Sequence, residues 1–394
     1  MNRDTSTTTQ SLHISLIGTR GVPAAYGGFE TAVEEIGRRL TRNGHRVTVY
    51  CRAGHDVGSN FLGMDRVVLP AVRRKSLETL SHTALSVAHA AGNRPDVAFV
   101  FNAANSPFLP FLRAIRVPVA LHMDGLEWRR SKWGSTGKRF YRTAEVLGVR
   151  TADALIADSP GIADYYHHQF GARTELIKYG APQLVTADSS GVEKLGLTPN
   201  GYHLVVARFE PENHVSEIVA GYGASDATKP LVVVGSAPYA EQYTSEINRI
   251  AAADPRIRLL GGVYDQELLD ALYFHAFSYV HGHSVGGTNP SLLRAIAAGT
   301  AVVAYDVSFN RAVLDGQGWF FQDAAGVSAA ISATEADENQ VRKTAQFLQE
   351  HAARHYTWDE VATQYESLAH RLHNGESVRD AHRRARRHSE PWNG

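Results

Sequence analysis

Short apolar runs recur along this chain, and the stretches between them carry helical spacing. One set lies at 13–18, 46–51, 66–71, 96–102, 118–124, 152–159 and 175–180; a second lies at 203–209, 231–236, 257–262, 278–283 and 301–306. A strand that is apolar at nearly every position is buried on both faces, which is the condition of a parallel sheet covered by helices. Between the sets, residues 181–200 are rich in Pro, Gly, Ser and Asp and lack a strong period. The pattern predicts an α/β chain with two doubly wound, parallel-sheet domains. The first spans 12–182 and the second 200–355, followed by a helical segment at 356–378 and a basic tail at 379–394.

The helices between the runs are legible by the same logic. Ala32, Val33, Ile36 and Leu40 share one helical face, and Asn43-Gly44 is a stop signal. Residues 339–373 read as long helical material broken near Tyr356-Thr357-Trp358.

With 394 residues, 43% of them hydrophobic and 20% charged, the chain can bury two ordinary cores. No apolar run reaches the roughly 18 residues of a membrane span, and the Thr-rich start lacks a signal-peptide core, so a cytoplasmic protein is expected. The one cysteine, Cys51, excludes an internal disulfide or a thiolate zinc cage and reads as core filler. A formal charge of zero argues against a nucleic-acid surface. The tail nevertheless holds five arginines between Arg379 and Arg387. It reads either as a solvated end or as a contact for an anionic membrane.

In open α/β sheets, ligands bind beyond the carboxyl ends of the strands, so chemistry is sought there. The richest such segment runs from His281 to Gly299, where glycines and a helix start favour a phosphate-like anion. A second glycine-rich turn, Gly18 to Glu30, joins the first strand to the first helix. It lacks the G-x-G-x-x-G fingerprint, and no Walker sequence occurs anywhere, which weakens nicotinamide and ATPase readings. Both turns also admit a purely connecting role. After the fifth strand come His122, Asp124, Glu127, Trp128, Arg129, Arg130, Lys132 and Trp133. There His122 can bond a sugar hydroxyl or phosphate, Asp124 can orient it, and the tryptophans can lie against a sugar face or lipid; a core histidine and packed indoles are the alternative. Arg208 can neutralise a departing diphosphate or simply pair with Glu210 or Glu212.

At these residues the chain resembles family-4 glycosyltransferases of the GT-B architecture, and within them the bacterial rhamnosyltransferase group. The likeness is carried by the Gly18 to Glu30 loop, Asp124-Gly125-Leu126-Glu127-Trp128 with Ser131-Lys132-Trp133, Ile156-Ala157-Asp158-Ser159, Arg208 to Asn213, and Gly282 to Leu293. It implies two Rossmann-like domains facing a cleft, a C-terminal helix crossing back to the first, and metal-independent, configuration-retaining sugar transfer without a cofactor. The donor is a nucleotide diphosphate sugar, and the acceptor a saccharide, often lipid-linked. By this likeness His122, Asp124 and Arg208 are catalytic. Gly27, Gly28, Arg208, Asn213, His283, Gly287, Thr288, Asn289, Ser291, Leu292 and Arg294 hold the donor, while Arg20, Tyr26, Glu127, Trp128 and Lys132 serve the acceptor.

Two departures stand out. Many members carry two glutamates eight positions apart around the last turn, and a lysine five positions after the arginine; here those places hold Gly286, Arg294 and Asn213. Losing the second glutamate removes the usual partner of ribose hydroxyls, which favours a deoxyribose donor such as dTDP-rhamnose over UDP- or GDP-sugars. The missing lysine leaves Arg208 to be helped by Arg294, His214 or backbone N–H groups. A catalytically degenerate glycan-binding protein is the competing non-enzyme reading.

Overall fold

The computed structural model describes residues 10–24, 27–53, 58–72, 77–123, 125–130, 133–237 and 240–377. Strands β1 (His13–Ile17), β2 (Arg46–Arg52), β3 (Asn60–Phe61), β4 (Met64–Leu69), β5 (Val97–Phe101), β6 (Val119–Met123), β7 (Ala154–Ala157) and β8 (Glu175–Leu176) form the first sheet. Their order is β3-β4-β2-β1-β5-β6-β7-β8, parallel except where β3 folds back on β4. The second sheet is built from β9 (His203–Val206), β10 (Leu231–Val234), β11 (Ile257–Gly261), β12 (Ser278–His281), β13 (Ala301–Tyr305) and β14 (Trp319–Phe321), in the order β11-β10-β9-β12-β13-β14.

Each predicted run contains a strand, and the central ones are buried along their whole length, as in β5, β6, β10 and β12. Burial on both faces explains the absence of apolar–polar alternation. Cys51 is free and buried in β2.

The chain's last helices fix how the domains are joined. Helix Glu338–His355 ends at Tyr356, and Thr357 caps the next helix, Trp358–His373, by accepting the Glu360 N–H at 3.2 Å. That T-x-x-E arrangement is a capping box in sequence and explains a break where the apolar period continues. The last helix lies on the first domain, where Arg371 grips Glu175 through two bonds of 3.0 and 2.9 Å and Asn43 donates to Glu366 at 2.6 Å. Beside it, His45, Glu366 and His370 bring ligand atoms within 4.8 Å of one another. His45 Nδ1 already accepts the Leu12 N–H, so the ring proton sits on Nε2 and is donated to Glu366 at 3.0 Å. His45 and Glu366 are therefore a hydrogen-bonded clamp for the returning helix, with the His370 ring packed 5.4 Å from that of His45. No helix among the described residues is long and apolar enough to cross a membrane. The basic tail lies outside the described residues.

Candidate active site

The carboxyl ends of both sheets face one cleft, and the turn after β12 touches the first domain at three places. A Cβ added to Gly28 would lie 2.9 Å from Pro290, one on Gly125 would lie 2.5 Å from the Gly286 Cα, and one on Gly287 would lie 2.0 Å from Asp158 Oδ1. The Thr288 hydroxyl donates to the Asp158 carbonyl at 2.9 Å. Gly287 is thus demanded by close approach of the domains, and Gly286 by its φ of +126°, which side chains rarely adopt. The helix starts at Gly28 and Pro290 meet across the cleft, a concentration of N–H groups and positive dipole ends.

On the second domain, helix Pro290–Ala297 begins with a neutral cap: Asn289 Oδ1 accepts both the Ser291 N–H at 2.9 Å and its hydroxyl at 2.6 Å. Its first turn holds no acidic residue. At the carboxyl end of β9, which neighbours β12 in the sheet, Arg208 contacts Glu210 at 3.5 Å while 37% of its side chain stays exposed, so an ion pair and an open guanidinium coexist. Asn213 supports this group from beneath. Its amide nitrogen donates to the Arg208 carbonyl at 2.8 Å, so its oxygen faces His283 Nδ1, also at 2.8 Å. His283 Nδ1 must then carry the proton, leaving Nε2 as a lone pair near Gly286. Burial holds the His283 pKa well below the imidazole range, with His281, Arg130 and Arg208 adding repulsion. His283 is therefore a neutral acceptor, and Asn213 positions it.

Two donor assignments change. Leu292 is completely buried in the core, so only its backbone N–H, in the first turn of the helix, faces donor chemistry. Helical phase explains this, since Leu292, Leu293 and Ile296 form the inward stripe. Arg294 is ion-paired with Asp270 and His214 is stacked on Tyr305 at 4.0 Å with a bond to Ser284 at 2.9 Å; both are engaged away from Arg208. Neither replaces the missing lysine.

The first-domain side differs. The Arg20 N–H donates to Glu30 at 3.0 Å and the Ala24 N–H to Glu34 at 2.7 Å, so the glycine-rich loop already receives carboxylates from its own helix. A Cβ on Gly27 would meet Glu30 Oε2 at 2.3 Å, placing that carboxylate beside the glycine assigned to the diphosphate. The Arg20 side chain is exposed at the rim. His122 is 3% exposed, enclosed by Phe29, Phe101 and Tyr179 at ring distances of 5.1, 5.6 and 5.9 Å. Burial lowers its pKa to about 3, and its Nδ1 has no protein partner. It is neutral at any ordinary pH, able to accept or donate one hydrogen bond but not to supply charge.

Glu127 and Trp128, assigned to the acceptor, have structural partners instead. Glu127 accepts Trp133 Nε1 at 3.1 Å and pairs with Arg130 at 3.0 Å. Trp128 lies half-buried with the Arg142 guanidinium 4.3 Å from its ring centroid. Tyr26, Asp124 and Lys132 lie outside the described residues. Asp158, Gly125, Arg130 and Pro290 take part in the cleft without having been assigned there; their place at the carboxyl ends of strands, or at the helix start, was the available signal.

Comparison with known proteins fits this geometry. Residues 203–337 match the model of glycosyl transferases group 1, and residues 11–182 match a domain of unknown function, DUF1972. The group 1 match covers the second domain, and the chain as a whole has the GT-B fold. No curated protein matches it in sequence. Among solved structures, the chain is similar to a sucrose-phosphate synthase from Thermosynechococcus elongatus, with 21% identity, a TM-score of 0.79, and 92% of this chain and 99% of that one covered. Anabaena HepE, solved with UDP-glucose, is 17% identical with a TM-score of 0.75 over 91% of this chain and 99% of its own. The catalytic domain of starch synthase IV from Arabidopsis thaliana, bound to ADP and acarbose, is 14% identical with a TM-score of 0.74 over 93% and 100%.

Proposed function

We propose that the protein is a retaining glycosyltransferase that moves L-rhamnose from dTDP-rhamnose onto a saccharide acceptor, lipid-linked, in the synthesis of a cell-surface polysaccharide. The observation that carries the reading is that an exposed Arg208 guanidinium and a neutral-capped helix start at Pro290 follow neighbouring strands, β9 and β12, of the sheet that matches the glycosyltransferase model. The absence of a carboxylate from helix Pro290–Ala297, where Arg294 is occupied by Asp270, supports a donor whose sugar lacks the 2′-hydroxyl. The UDP and ADP of the solved neighbours favour a ribose nucleotide as the second reading.

In the mechanism, the bond from the anomeric carbon to the donor diphosphate breaks as the acceptor oxygen bonds that carbon from the same face. The acceptor proton passes to the departing phosphate. Arg208 and the helix N–H groups take up the charge that develops on the leaving group. His283 Nε2 and His122 act as neutral hydrogen-bonding groups beside the sugar. No metal or cofactor enters the proposal. Work on a lipid-linked acceptor places the protein at the inner face of the membrane, peripherally.

The test is product formation by mass spectrometry, with dTDP-rhamnose, UDP-glucose, UDP-N-acetylglucosamine and GDP-mannose offered separately to lipid-diphosphate saccharides. A deoxyhexose mass gain from dTDP-rhamnose alone is expected. Transfer of another sugar rejects the donor, and nucleotide binding without any transfer favours a glycan-binding protein.

A further inference from the structure

A departing diphosphate carries more charge than one guanidinium neutralises, and the second domain offers it few other cations. Position 213 is Asn, Arg294 is held by Asp270, and His281 and His283 are kept neutral by burial. The first domain supplies what is missing. The loop after β6 rests on the donor turn through Gly125 against Gly286 and carries Arg130, whose side chain is only 15% exposed, directly after the turn Glu127–Arg129. Glu127 holds the Arg130 Nε at 3.0 Å and is itself fixed by Trp133 Nε1 at 3.1 Å, which gives the guanidinium a set direction. Arg130 and Arg208, one from each domain, both act electrostatically on the ring of His283, Arg130 the more strongly. The His283 ring thus feels the charge of a guanidinium from each wall of the cleft.

We propose that Arg130 is the second cation of the donor diphosphate site, delivered from the first domain across the cleft in place of a lysine at position 213. Glu127 is then a positioning residue for it. The inference rests on the reading of this cleft as a nucleotide-sugar site. Its consequence is that the anion site is complete only when the domains are closed, so the donor itself draws the walls together and the charge is present where the leaving group forms.

Calorimetric titration of the full chain tests this, with UDP, ADP and dTDP and their parent nucleosides as probes, on the unaltered protein, Arg130→Ala and Arg130→Lys, each checked by thermal melting. Arg130→Ala should weaken the preferred nucleoside diphosphate roughly tenfold to hundredfold and leave nucleoside binding unchanged. Arg130→Lys should recover part of the loss, since it keeps the charge without the planar fork. Diphosphate affinity unchanged in Arg130→Ala would overturn the proposal. Equal loss of nucleoside and diphosphate in both variants, with a lowered melting temperature, would also overturn it by giving Arg130 a purely structural role. If the unaltered protein binds none of the three diphosphates, the donor site itself is rejected and the inference falls with it, an outcome distinct from either Arg130 result.

Discussion

The two glycine-rich turns of the cleft look alike in sequence and are opposite in electrostatics. The turn at Gly18 to Gly28 has its N–H groups bonded to Glu30 and Glu34, carboxylates from the helix it introduces. The turn at His283 to Asn289 opens a helix capped by a neutral amide, with no acid in its first turn and Arg208 exposed opposite. A helix start favours an anion, and in the first domain the loop leading to it already carries two carboxylates, on the Arg20 and Ala24 N–H groups. In the proposed site the donor's phosphates therefore belong to the second domain. The first contributes shape and contacts, and at Arg130 a charge.

Mutations can break this contrast at either wall. The largest effect is expected at Arg208→Ala, with turnover falling on the order of 100- to 1000-fold. Steady-state kinetics beside a melting curve decide the point, and activity retained at the unaltered level would remove Arg208 from the site. Gly287→Val should follow, because its side chain meets the Asp158 carboxylate and forces the walls apart. A misplacement of about 1 Å costs on the order of 100-fold, and small-angle scattering should register a more open shape with the fold intact. A compact, fully active variant would show that the contact with Asp158 carries no function.

The histidines sharpen the comparison through pH. His122 and His281 have pKa values lowered to about 3 by burial, so below the unfolded value near 6.5 the unfolded chain binds more protons than the native one. Stability should accordingly rise with pH between about 3 and 6.5 and be flat in this respect above it. Each ring should cost on the order of 2 kcal/mol at a pH of about 5. Denaturant titrations from pH 7 down to pH 5 on the unaltered protein and His122→Phe measure it. If the acid dependence is the same in both, His122 is not held neutral by the fold. The smallest effect on donor binding is expected at Glu30→Gln, which should change nucleoside diphosphate affinity less than about threefold while costing about 1–3 kcal/mol of stability through the lost carboxylate bond. A large loss of diphosphate affinity would put the first turn back in the donor site.

Much of this was readable before any coordinates. Strands such as β5 and β10 are buried on both faces, so their apolar runs carried the signal, whereas β3 and β14 are two and three residues long and too short to show one. The carboxyl ends of the strands, legible as the ends of the apolar runs, mark the candidate site. Its internal division of labour is not legible in that way. Asp158 meets Thr288 across 130 residues of sequence, and Gly125 meets Gly286 across a longer gap; no local period records such contacts. The family resemblance gives Leu292 and Glu127 to ligands because they sit in motif segments. Helical phase commits the first to the core, and the second is taken by Arg130 and Trp133.

The most direct test of the central claim is a crystal structure of the protein with dTDP or UDP bound. The account predicts phosphate oxygens on Arg208 and on the N–H groups that begin helix Pro290–Ala297, with the base on the second domain. Phosphates seated instead in the Gly18 to Gly28 loop, displacing Glu30, would contradict it.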